Sequence, residues 1–391
     1  MRIETTPEQD TLRETIRTYM SALLTPALRA ELAHQEGGGP EYFAAMEKLG
    51  VDGWLGLGWP EEYGGKGLSS IEEFIFFDEV HRSGFPIPLL TLNTVGPTLM
   101  TFGSPEQRAA FLPRILTGKC HFAIGYTEPD AGTDLGALKT RAVRDGDDYV
   151  INGQKIFCSL ADFADYIWLA VRTDADAPKH KGISMIVVPT NTPGLSTTPI
   201  RNLGDSNIHA VYLENVRVPV SNRVGPENGG WKMITTQLNH ERVALMMVGP
   251  VLRHLQEVRD WAAVEPVGDG RMLIEEPWVQ SCLARLYVKL EVLKLLNWRQ
   301  AYNLSQSRLT MEEASGIKVF GSEFYVEAYK LLMEVLGEPG TLQTGSPGAA
   351  LRGEVERHYR AMLVLTFGGG TNEVQRDIIA MAGLRMPRTR R

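Results

Sequence analysis

The chain has 391 residues, 43% of them hydrophobic, and a formal net charge of -7 at pH 7. That is enough apolar matter for two or three packed domains. The acidic balance excludes a broad attraction to phosphate backbones or anionic lipid, and the basic tail RMPRTRR is too short to reverse it. Residues 1–119 read as helical: Thr6 is placed to cap a helix with Pro7 in its first turn, and SSIEEFIFFDEVHRSG is a helix that stops at Gly84. GLGWPEEYGGKG interrupts these helices. Its GxG follows no strand and lacks the third glycine of a dinucleotide loop, which excludes a Rossmann site, and there is no P-loop.

From 120 to 225 the texture becomes that of short strands: AVRDGDDYVINGQKIF around a glycine turn, then YIWLAVRT, GISMIVVP and HAVYLENVRVPV. After GPENGGW helical spacing returns, with Val279, Cys282, Leu286, Leu290, Leu293 and Leu296 on one stripe and Ile317, Phe320 and Phe324 on another. GEPGTLQTGSPGAALRGE, 337–354, reads as a loop between two helices. The expected organisation is α+β in three parts, 1–119 helical, 120–225 β and 226–391 helical.

Three cysteines without paired spacing, Cys120, Cys158 and Cys282, suggest neither a disulfide framework nor a zinc site, and a reducing compartment fits them. The acidic N-terminus without an apolar run argues against a targeting peptide, and no stretch has the length of a membrane span.

Three segments carry chemistry. FAIGYTEPDAGTD, 122–134, is a strand running into a loop whose amides and hydroxyls face either a ligand or solvent. LNHERVAL sets Glu241 and Arg242 side by side in an amphipathic helix, where neighbouring side chains diverge. Each is read as a solvated charge or as a group turned into a cavity. His240 has no second ligand at a metal spacing, so no metal site is expected. FGGGTNEVQR brings three glycines into a helix start, a close-approach loop or a hinge, with Asn372 and Gln375 spaced as a capping box.

Together YTEPDAGTD, NGQKIFCS, LNHERVAL and FGGGTNEVQR, in this order and at these separations, resemble the acyl-CoA dehydrogenase family over essentially the whole chain. The resemblance implies an N-terminal helical domain, a middle β-barrel-like domain and a C-terminal four-helix domain that carries oligomer contacts. It implies FAD as cofactor, and an activity that takes a proton from the carbon next to a thioester and passes a hydride from the following carbon to flavin N5. Many members carry their basic Glu just before the Gly-Thr of the late motif, where this chain has Gly369. In others the base comes from the helix with the Glu-Arg pair, which matches Glu241. Arg242 then resembles the arginine that reaches the CoA portion, and the Gly369 N–H still offers a hydrogen bond to the thioester carbonyl. Tyr126 and Thr127 are carried over to the flavin ring, and Thr133 to the pyrophosphate and pantetheine region. Phe157 corresponds to an aromatic over the isoalloxazine and Ser159 to a hydroxyl near N5. Thr371 and Glu373 correspond to residues touching the same flavin.

Two family segments depart. AAVEPVGDGRMLIEEPW stands where an Arg-x-x-Phe-Gly motif reaches a neighbour's FAD. EVLGEPGT, with Glu334 and Glu338, replaces a Gln followed by a glycine-rich turn. This lopsided pattern resembles the two-gene acyl-CoA dehydrogenases of actinobacterial steroid and cholesterol catabolism. Their unlike subunits form an α2β2 heterotetramer, and the wording here matches the Glu-bearing subunit. The expectation is a cytoplasmic enzyme acting on a steroid side-chain CoA ester and passing electrons to an electron-transferring flavoprotein. Three alternatives stand beside it: a non-catalytic companion subunit, a branched- or short-chain acyl-CoA dehydrogenase, and a flavin oxidase on the same fold.

Overall fold

Pro7, Pro26, Pro40 and Pro105 each stand in the first turn of a helix, where the missing N–H has no intrahelical partner to lose. They open α1 (Pro7–Leu23), α2 (Pro26–Leu32), α3 (Pro40–Val51) and, after α4 (Ser70–Ser83) and α5 (Gly96–Phe102), α6 (Pro105–Leu116). Thr6 caps α1 in a capping box with Gln9, and α4 ends on Gly84 at φ 84°, both as the sequence predicts. In this computed structural model the described residues are 4–33, 36–244 and 246–387, the side chains of 238–244 excepted.

The middle region forms β1 (Phe122–Gly125), β2 (Arg141–Asp145), β3 (Asp148–Ser159), β4 (Tyr166–Arg172), β5 (Ile183–Pro189), β6 (Leu195–Pro199), β7 (Ile208–Pro219) and β8 (Arg223–Val224). The strands run in the order β6-β7-β3-β2-β4-β5-β8, with β1 parallel to β4. Strands β4 and β5 read as continuous apolar runs because both faces are covered. In β4, Ile167, Leu169 and Val171 join the core inside the sheet, while Trp168 and Ala170 point to the helical core. The short β6 and β8 had no clear sequence signal.

The last third contains α7 (Gly230–Ala244), α8 (Gly249–Ala262), the hairpin β9–β10 (Pro266–Gly268, Arg271–Met272), α9 (Pro277–Ser305), α10 (Met311–Leu336), α11 (Glu354–Ala361) and α12 (Asn372–Ile378). The predicted stripe of α9 is buried at Val279, Leu286, Leu290 and Leu293, with Cys282 and Leu296 at its edge. Segment 337–354 is a connection with two 3-10 turns.

The last helical part has a core of its own, but Met233, Ile234, Met247, Trp298 and Ala301 join the core of the first. Asp78 of α4 accepts from Val248 N at 3.0 Å and Gly249 N at 2.9 Å, so a buried carboxylate caps α8. The Phe74 ring meets Trp298 of α9 edge-on, with centroids 5.4 Å apart. The cysteines are free, and burial pushes the thiols of Cys120 and Cys158 up to about 12, which keeps them unreactive. Among the described residues no helix is long and apolar enough to cross a membrane.

Candidate active site

Where β1 ends, the chain turns into the loop of Tyr126, Thr127 and Glu128, and a buried lysine holds it there. Lys155 of β3 donates from Nζ to Tyr126 O at 3.1 Å and to Glu128 Oε1 at 2.8 Å. Glu128 also accepts from Lys139 N at 2.6 Å and Thr140 N at 2.9 Å. Burial alone would raise the Glu128 carboxyl, but the Lys155 ammonium and these amides outweigh it and hold it below the usual carboxylate range. Neither charge is safe without the other. Lys155→Met is expected to destabilise the protein by about 3–5 kcal/mol, because it strands a buried carboxylate. Urea unfolding checks this, and a change below about 1 kcal/mol would show the pair to be expendable.

Thr127 O accepts from Ile156 N at 2.9 Å, which sets Thr127 beside the next residue of β3, Phe157. The β3–β7 register shifts between Lys155 and Cys158. Strand alternation would send Phe157 inward with Lys155, but the bulge turns it out: it is 57% exposed at φ 60°. A bulky residue in the left-handed region costs about 1–3 kcal/mol, and such strain concentrates at functional sites. Half-buried Ser159 follows, paired with Ile208. Among the described residues no group bonds the hydroxyls of Thr127 or Ser159, so two free hydroxyls flank an exposed aromatic ring. Thr133 stands apart on the exposed far end of the loop.

The Tyr126 hydroxyl turns inward to Gln237 of α7, and Trp168 Nε1 donates to both, at 3.2 Å to the tyrosine and 3.1 Å to the glutamine. Gln237 is fully buried. Glu241 and Arg242 lie further along α7, Glu241 one turn beyond Gln237, and their side chains fall outside the described residues. The chain leaving α7 is held firmly. Asn297 Nδ2 donates to Met246 O at 2.6 Å, the Tyr325 hydroxyl to Met247 O, and Asp78 takes the next two amides.

Helix α7 also packs against α10, which holds the glycine turn through Lys318. Gly369 and Gly370 adopt φ 67° and 91°, and Thr371 caps α12 by accepting from Val374 N at 3.2 Å. The capping box expected of Asn372 and Gln375 is therefore corrected: the cap lies one residue earlier. Asn372 is instead bonded by Lys318 and Ser322 of α10. Glu373 is exposed, its carboxyl lowered first by its own backbone N–H and then by the Thr371 hydroxyl. The structure thus sets Thr127 beside Phe157 and Ser159 of β3, with the Tyr126 hydroxyl turned inward behind them, and sets Gly369, Thr371 and Glu373 together at the start of α12, while α7 packs against both the Tyr126 loop and α10.

Comparison with protein-family models matches residues 6–119 to the acyl-CoA dehydrogenase N-terminal domain, 123–216 to the middle domain and 228–384 to the C-terminal domain. The chain belongs to the acyl-CoA dehydrogenase family. Acyl-CoA dehydrogenase FadE26 of Mycobacterium tuberculosis is 53% identical over all of both chains. A chain of the ChsE4-ChsE5 complex from Mycobacterium tuberculosis superposes with a TM-score of 0.94 at 54% identity, and the Tcur3481-Tcur3483 steroid ACAD with 0.93 at 49%, each over 100% of both chains. Members of the family are flavoproteins, and the free hydroxyls beside Phe157 suit a flat polar ring system.

In this acyl-CoA dehydrogenase the segment in place of the arginine motif is the hairpin β9–β10, and Glu334 and Glu338 are exposed. Sequence reading missed Lys155, Gln237 and Lys318. For Lys155 a signal existed, since alternation along β3 puts it on the inner face with Ile151. Gln237 and Lys318 gave none, as polar residues in helices are usually solvated.

Proposed function

We propose that this chain catalyses FAD-dependent α,β-dehydrogenation of an acyl-CoA thioester whose acyl group is a steroid side chain, with Glu241 as the base. The observation that carries the reading is the glycine turn: position 369 has no side chain to take a proton, while α7, which bears Glu241, is anchored at both Gln237 and 246–249. A bound flavin would supply a hydride acceptor at N5. Thr127, Phe157, Ser159, Thr371 and Glu373 would hold it, with Tyr126 supporting the loop from behind. Glu241 takes the proton next to the thioester carbonyl. As negative charge grows on that oxygen, the Gly369 N–H donates to it, an interaction stronger in the transition state than in the ground state. Arg242 and Thr133 bind the CoA portion.

The steroid assignment takes support from likeness to the Tcur3481-Tcur3483 steroid ACAD, and the likeness to two-component complexes supports an unlike partner subunit. We further assign the electrons to an electron-transferring flavoprotein, the enzyme to the cytoplasm, and the domain limits to residues 119 and 225. Anaerobic mixing of the purified enzyme with a steroid side-chain CoA thioester tests the reading. Flavin bleaching with a product lighter by two hydrogens is expected. Bleaching by straight-chain thioesters alone would refute the steroid assignment, and bleaching by neither would refute the activity.

Ser159→Ala is expected to slow flavin reduction only about three- to twelvefold, the scale of one net hydrogen bond of roughly 0.5–1.5 kcal/mol. A variant that retains flavin but is inactive would contradict this secondary role.

A further inference from the structure

The glycine turn before α12 has no side chains with which to hold its own shape. Gly369 and Gly370 sit at φ 67° and 91°, a region glycine enters cheaply and leaves as easily. On its N-terminal side the turn is tied by Gly368 N, which donates to Val364 O at 2.7 Å. On the other side two fully buried side chains grip successive carbonyls. Lys318 donates from Nζ to Gly370 O at 2.7 Å and to Asn372 Oδ1 at 2.8 Å, and Gln375 donates from Nε2 to Gly369 O at 3.5 Å. Ser322 Oγ donates to the same Asn372 oxygen at 3.1 Å. Among the described residues the N–H groups of Gly369 and Gly370 have no acceptor. A turn with its carbonyls fixed and its N–H groups free presents donors outward.

We propose that Lys318 is a positioning residue for the reaction: by holding the Gly370 carbonyl it keeps the Gly369 N–H aimed at the thioester oxygen. This rests on the role given above to Gly369 and adds the group that makes a flexible glycine serve it. Burying an ammonium is costly unless it is paired and hydrogen-bonded, and Lys318 is fully buried. The charge is retained because a neutral side chain of that length has nothing to donate to the turn. Preorganisation is what separates an oxyanion donor from an ordinary amide, since a donor that must first be ordered loses most of its effect.

The test uses Lys318→Met in the purified FAD-containing enzyme, with two ligands of the same acyl skeleton: the CoA thioester and the CoA thioether, which lacks the carbonyl oxygen. The wild type is expected to prefer the thioester. In Lys318→Met that preference should fall about three- to tenfold, the scale of one hydrogen bond, with thioether affinity and FAD content unchanged. A purely structural lysine would weaken both ligands alike, and an unchanged preference would overturn the proposal. A wild type with no preference would overturn the role of Gly369 itself, and the proposal with it. Should Lys318→Met not fold, Lys318→Leu, which is smaller and likewise donates nothing, is read by the same ratio. It must show the same loss, and an unchanged ratio there overturns the proposal equally.

Discussion

Glu241→Gln is expected to bind flavin and substrate like the wild type and to lose flavin reduction by on the order of 10²–10⁴-fold or more, the range over which general bases contribute. The amide keeps the shape and hydrogen-bonding reach of the carboxylate and removes only its basicity. A free glutamate, with a pKa of about 4.3, is a weak base at neutral pH; a dry pocket closed by flavin and thioester raises it toward the useful range. The expected loss is large because the glycine turn has nothing in reserve: Gly368, Gly369 and Gly370 carry no acid or base. Single-turnover stopped-flow absorbance measures the effect directly. Reduction at a near wild-type rate would show that another group takes the proton, and would revive the reading of this chain as a companion subunit.

Purified without a partner, the chain is expected to hold FAD poorly, and with an unlike acyl-CoA dehydrogenase subunit it should hold one FAD per pair. The residues proposed for the flavin ring, Thr127, Phe157 and Ser159, are all present. The segments that would cross to a neighbour are not: the hairpin β9–β10 ends the arginine motif, and exposed Glu334 and Glu338 stand where a neutral turn is expected. In a symmetric dimer each subunit gives what it receives, so a defect in the donated segment empties both sites together. Two added carboxylates facing a pyrophosphate would worsen the loss, since like charges oppose each other most where water is excluded. Mass and FAD stoichiometry, measured with and without a co-expressed partner, decide the matter. A homodimer with one tightly bound FAD per chain and full turnover would end the idea.

Much of the architecture was legible because local rules and tertiary demands agree. Thr6, Pro7 and Gly84 mark helix ends by chemistry that needs no neighbours, and the apolar runs of β4 and β5 announce burial on both faces. The site was legible only in part. Phe157 was found by motif, but the bulge that exposes it depends on a register shift against β7, a partner some fifty residues on that no local pattern encodes. The cap of α12 was misplaced by one residue because Thr371 and Asn372 both suit the position. What decided between them was Lys318, which takes the asparagine away from the helix end. Lys318 was invisible, and Lys155 was marked only by strand alternation, for a common reason: a lysine is inside only when a partner is waiting there, and the partner's position is a property of the fold.

The contact between Asp78 and the start of α8 spans 170 residues of sequence. At about 5–20 residues per second, the ribosome needs on the order of ten to thirty seconds to make the second half of that contact after the first has emerged. Throughout that interval Phe74 has no Trp298 to meet, and Asp78 faces water where it will later be enclosed. The β strands emerge in between, and they too lack a finished surface to lie on, because Trp168 and Ala170 belong to the same unfinished core. The nascent chain therefore carries an open apolar seam until Trp298 has been synthesised. The time for which that seam stays open lengthens as translation through residues 84–298 slows, and a transiently exposed apolar surface is where nascent chains aggregate.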